Sequence, residues 1–115
     1  MSLIEAGRAD ELKDGTMQAV RVQGREILLA RVGERYYAAN NRCPHMGGNL
    51  SKGRLKGTVV TCPLHGSQFD LTDGTVVRWT NWSGMKVALA KAVKPPRPLK
   101  VYAARVEGDK IVAEV

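Results

Sequence analysis

Cysteine and histidine are scarce in this chain, which has two of each in 115 residues. Two cysteines allow at most one disulfide, fewer than small domains of oxidising compartments usually carry. No apolar run approaches the roughly 20 residues needed to cross a bilayer. The opening stretch, MSLIEAGRADELKDG, places acids early instead of a basic segment followed by an apolar one. These features predict a cytoplasmic protein with no membrane contact. There is no glycine-rich dinucleotide fingerprint for a flavin or nicotinamide, no internal repeat and no low-complexity tract. Aromatic residues make up only 5%. Without basic and aromatic residues interleaved, the chain has no base-stacking surface, and no nucleic-acid partner is expected.

What is present fits one globular domain over residues 1–115. The length suffices for one core but not two, and a 43% hydrophobic fraction argues against wholesale disorder. The formal charge of +7 is unevenly placed. Residues 1–50 hold seven basic and six acidic side chains, and residues 51–115 hold eleven and five. That asymmetry points to an acidic protein partner, or else to a solvated basic face.

Short apolar runs separated by turn residues predict an all-β fold. Thr16 to Val32 reads as two strands joined at Gln23-Gly24, and Gly33-Glu34 turns into a third strand over Arg35 to Asn40. Leu55 to Thr61 turns at Lys56-Gly57. Gln68 to Leu71 forms another strand, and Thr72-Asp73-Gly74 marks a turn before Thr75-Val76-Val77. Leu99 to Val106 and Lys110 to Val115 flank Gly108-Asp109 as a closing hairpin. Many short strands at this spacing suit a sandwich or partly open barrel of antiparallel strands.

One segment departs from that pattern. Trp79 to Pro98 predicts a short helical insertion at about 83–94, capped by Asn81 or Ser83 and stopped by Pro95-Pro96. Trp82, Met85, Leu89 and Val93 share one face of it. That face would pack on the β core, meet a second subunit through residues 79–98, or dock a partner protein.

The chemistry gathers between Arg42 and Asp70. Cys43-Pro44-His45 and Cys62-Pro63-Leu64-His65 form two arms separated by the sixteen residues Met46 to Thr61, and they use every cysteine and histidine available. Each arm offers one thiolate and one imidazole, so the four side chains are candidate metal ligands. Zinc accepts such a set, although zinc fingers usually pair like ligands within an arm. Mixed arms suit a pair of inequivalent metals. Gly47, Gly48 and Gly66 follow the arms, where backbone N–H donors could approach a negatively charged group. Pro44 and Pro63 would hold the arms extended and stiff.

The two arms in register, continued by His65-Gly66-Ser67 and Phe69-Asp70, resemble the Rieske [2Fe–2S] family, whose clusters have two histidines on one iron in place of two cysteines. The resemblance implies one [2Fe–2S] cluster, with Cys43 and Cys62 on one iron and His45 and His65 on the other. It implies a cluster-binding part over about 41–77, carried on two loops of a Rieske-like β fold. High-potential members of the family have an additional cysteine in each arm, forming a disulfide, and a tyrosine near a cysteine sulfur. Here Gly48, Leu64 and Phe69 stand at those places. Ser67 remains able to donate to a bridging sulfide. Fewer donors to sulfur stabilise the reduced state less, so the resemblance is to low-potential ferredoxins.

A Rieske oxygenase needs a further iron on two histidines and a carboxylate, and both histidines are already committed. The expectation is therefore an electron-transfer protein and not an enzyme in its own right. It would pass single electrons from a reductase to an oxygenase or other terminal enzyme, with Arg42, Lys52, Arg54 and Lys56 steering acidic partners. The alternative is a cluster-bearing small subunit of a larger redox complex, similar to that of nitrite reductases.

Overall fold

The computed structural model describes residues 3–44, 47–64, 66–78 and 97–114. The predicted helix at about 83–94, with its apolar stripe, lies outside the described residues, as do His45 and His65. Among the described residues the strands are β1 (Leu3–Arg8), β2 (Met17–Val22), β3 (Arg25–Val32), β4 (Arg35–Asn40) and β5 (Arg54–Lys56). They continue with β6 (Val59–Thr61), β7 (Gln68–Asp70), β8 (Val76–Arg78), β9 (Val101–Glu107) and β10 (Lys110–Glu114). Three-residue 3₁₀ turns at Ala9–Glu11 and Leu50–Lys52 are the helical elements described.

All strand pairs are antiparallel and fall into two sheets. The larger has the order β1-β10-β9-β4-β3-β2, and the smaller has the order β5-β6-β7-β8. This is the expected all-β architecture. The hairpins around Gln23-Gly24, Gly33-Glu34 and Gly108-Asp109 form where the turn residues placed them. β1 has no counterpart among the expected strands. It lies at the sheet edge, paired with β10, and its register shifts between Glu5 and Gly7.

β3 shows how the two halves join. Ile27, Leu28, Leu29 and Ala30 are all fully buried, because this strand is covered on both faces, as an unbroken apolar run requires. Ile27 and Leu29 pack with Leu12, Ala38, Ile111 and Ala113 on one side. Leu28 and Ala30 face the other side, where Leu50, Val60, Phe69 and Leu71 bring in the smaller sheet. Each of the larger side chains among these contributes about 1.5–3 kcal/mol on burial. Replacing Leu28 by alanine would remove the contact on which the smaller sheet rests, at about 2–5 kcal/mol.

Gly74 anchors the return of the chain to the larger sheet. Its N–H donates to the Asp70 carbonyl at 2.7 Å, and its own carbonyl accepts from Leu99 N at 2.8 Å. A Cβ at this position would lie 2.0 Å from the Leu99 carbonyl oxygen, and φ is +81°. Glycine is thus required where the two segments cross.

Candidate metal centre

Two loops carry the candidate ligands, and the same backbone hydrogen bond closes both. The first follows β4 and the second joins β6 to β7. In the first, Cys43 N donates to the Gly48 carbonyl at 2.9 Å; in the second, Cys62 N donates to the Ser67 carbonyl at 2.8 Å. Each cysteine therefore closes a loop onto the residue five positions later. Gly47 N returns to the Cys43 carbonyl at 2.8 Å, and an isolated bridge between Arg42 and Asn49 closes the neck of the first loop.

This closure corrects the expectation for the prolines. Pro44 and Pro63 lie in turns and not in extended arms. A proline fixes φ near the value that the first central position of a tight turn needs, so the stiffness is spent on bending the chain back. Gly47 and Gly66 follow with φ of +73° and +69°, completing the reversal.

The loops lie side by side. Cys43 and Cys62 are each 3% exposed, belong to one core cluster and form no disulfide. A Cβ on Gly48 would stand 2.9 Å from Cys62 Sγ and 3.0 Å from Leu64 Cγ and Cδ1. The first loop thus touches the sulfur of the second across a position with no side chain. Both sulfurs sit on the protein side, while Pro63 and Leu64 are exposed, Leu64 to 56%. Ser67 and Phe69 are fully buried below. Two buried cysteines on abutting loops fit a group that takes thiolates on its inner side.

Three residues that sequence reasoning did not single out support the loops. Asn41 is 1% exposed. Its Nδ2 donates to the Glu26 carboxylate, and its Oδ1 accepts from Ser51 N at 2.8 Å, tying the first loop to β3 and to the Leu50–Lys52 turn. Arg78 donates from Nε and Nη2 to the Gly66 carbonyl, at 3.1 and 2.9 Å, fastening the second loop to β8. Glu26 holds Asn41 and lies 3.9 Å from Arg42 Nη2. Nothing local in the sequence marks these partners, which lie 10 to 16 residues apart along the chain. Of the expected basic residues, Arg42 also donates to the Gly47 carbonyl at 3.3 Å, and Lys52, Arg54 and Lys56 are exposed on the turn and strand beyond the loop.

Comparison with known proteins agrees with this geometry. The Rieske [2Fe-2S] domain family matches residues 2–104. The ferredoxin component of the naphthalene 1,2-dioxygenase system of Pseudomonas aeruginosa is 30% identical over 112 residues, covering 97% of this chain and 94% of that protein. The ferredoxin of carbazole 1,9a-dioxygenase from Nocardioides aromaticivorans IC177 aligns with a TM-score of 0.79 at 25% identity, over 98% of this chain and 97% of that one. A chain from the complex of reduced oxygenase and oxidized ferredoxin in carbazole 1,9a-dioxygenase aligns with a TM-score of 0.75 at 26% identity, over 96% of this chain and 91% of that one.

Proposed function

Since the chain belongs to the Rieske [2Fe-2S] domain family, we propose that it is a ferredoxin, carrying one electron at a time from a reductase to an oxygenase. The observation that carries this reading is the contact between the two loops at Gly48 and Cys62, in a chain whose relatives are ferredoxin components of dioxygenase systems. When bound, the [2Fe–2S] cluster accepts and returns a single electron. Cys43 and Cys62 would hold its buried iron, and His45 and His65 the other. The exposure of Pro63 and Leu64 beside His65 supports placing the imidazole side outward, toward a partner. The whole chain would act as one domain, with the cluster-binding part over about 41–77.

The chain's own residues limit reorganisation and set polarity. Pro44 and Pro63 stiffen the turns, and the two Cys N–H bonds keep each loop closed whatever the charge on the cluster. Phe69 offers no hydroxyl to a cysteine sulfur, and Gly48 and Leu64 cannot form a disulfide clamp. The midpoint potential is therefore expected toward the lower end of the roughly −150 to +300 mV range of Rieske centres. An anaerobic redox titration checks this, and a midpoint near the top of that range would contradict it. Among the described residues no helix is long and apolar enough to cross a membrane, and the cytoplasm is the compartment we assign.

A further inference from the structure

Beside the neck of the first loop lies an open cleft of about 500 Å³, and its lining is predominantly basic. Arg21 at the end of β2, Arg25 at the start of β3, Arg42 and Lys100 all border it, against the single carboxylate of Glu26. That carboxylate is already engaged by Asn41 Nδ2 and approached by Arg42. Among the described residues no carboxylate pairs with Arg21, Arg25 or Lys100. Lys100 Nζ instead sits 5.6 Å from the centre of the Tyr102 ring. Four cations kept together with so little compensation repel one another, and a concave surface of one sign concentrates the field on arriving counter-charge.

We infer that this cleft is a docking surface for an acidic segment of a redox partner protein, seated against the root of the first cluster loop. The inference rests on the carrier reading above and supplies a surface for it. The cleft is open and its cations are exposed, which suits carboxylates projecting from another protein's surface better than an enclosed small ligand. Arg42 makes the connection to the site. It directly precedes Cys43, donates to Gly47 O, and is only loosely paired with Glu26 at 3.9 Å. An incoming carboxylate competes with Glu26 for this guanidinium and so holds the partner beside the loop. Charge steering of this kind speeds encounter without demanding a tight complex, as a carrier that must also leave requires.

The test uses the cluster-loaded protein and a fluorescent hexaglutamate peptide at low ionic strength, read by anisotropy. R21Q/R25Q/K100Q should weaken the peptide at least tenfold. K13Q/R35Q/R105Q removes the same charge elsewhere and should change binding less than threefold. E26Q, which keeps an acceptor for Asn41 but frees Arg42, should tighten it. Equal weakening by both triple variants would overturn the inference, as would displacement of the peptide by millimolar inorganic phosphate, which would indicate a small-anion site. Should the triple variant fail to fold, the single variants R25Q and K100Q must each weaken binding severalfold. Each sample's reduced EPR signal is recorded alongside. Intact signals with no peptide effect sink the docking surface alone, whereas a wild-type protein without the signal removes the carrier reading beneath it.

Discussion

Gly48 and Cys62 are held so close that a methyl group added to the glycine would stand 2.9 Å from the cysteine sulfur. Leu64 blocks the remaining space at 3.0 Å. The Gly48→Ala variant must therefore push the two loops apart. Overpacking at such a contact costs about 1–3 kcal/mol, and here the strain falls on the spacing of the two arms. The expected result is a lower denaturation midpoint together with less than the full complement of iron per chain. An alanine variant with unchanged iron content would show that the loops tolerate separation.

Arg78 should influence the cluster through Gly66. Its two hydrogen bonds to the Gly66 carbonyl place a fixed positive charge one residue from His65. A nearby cation favours the more negative, reduced state. Replacing Arg78 by methionine should lower the midpoint potential, while Arg78→Lys, which keeps the charge but not the paired donors, should stay closer to wild type. Because the residue is exposed, the loss of stability should be modest, about 1 kcal/mol. Equal potentials in all three proteins would confine Arg78 to a purely mechanical role.

Asn41 is the buried link between β3 and the first loop. Asn41→Ala leaves the Ser51 N–H without its acceptor and the Glu26 carboxylate without a donor. Unsatisfied groups at such a position cost about 1–3 kcal/mol each. Glu26 is partly exposed, so water offsets part of its share, and urea denaturation should show a loss of roughly 2–4 kcal/mol; a loss below about 0.5 kcal/mol would mean water replaces the side chain without penalty.

Asp70 gives the fold a defined acid sensitivity. Hydrogen bonds from the Thr72 N–H at 2.9 Å and the Thr72 hydroxyl at 2.8 Å hold its carboxyl below the ordinary carboxylate range. A group depressed in the folded state stabilises the protein above its unfolded pKa, about 3.9. That contribution disappears as pH falls through the lower folded value. Wild type should exceed Asp70→Asn in thermal stability by a constant margin from neutrality down to about pH 5, and the two should converge in stronger acid. A margin that grows on acidification would refute the assignment. The group is only partly buried, so solvent screening keeps the margin small.

Much of the fold was legible because the turns carry their own chemistry. Gly33-Glu34 and Gly108-Asp109 reverse the chain where local geometry demands it, and the run Ile27 to Ala30 marks a strand buried on both faces. β1 was not legible. Its Leu3–Arg8 sequence offers a weak alternation broken by Gly7, and pairing with β10 at the far end of the chain makes it a strand. The site divides in the same way. Spacing located the cysteine arms, because short loops must present ligands at fixed offsets. Asn41, Glu26 and Arg78 act across distances that only the folded sheets bring together. Pro44 and Pro63 were expected in extended arms and lie in turns, since the closing bonds Cys43 N to Gly48 O and Cys62 N to Ser67 O are invisible in the sequence.

Sulfur from Cys43 and Cys62 should hold one iron, and ring nitrogen from His45 and His65 the other. EPR with ¹⁴N ENDOR on anaerobically prepared, dithionite-reduced protein tests this ligation most directly, beside an assay of iron and acid-labile sulfide. The account predicts two irons and two sulfides per chain, as the cluster requires, with couplings from two imidazole nitrogens that vanish one at a time in H45C and H65C. A reduced signal without nitrogen coupling, or a colourless protein holding stoichiometric zinc, would contradict it.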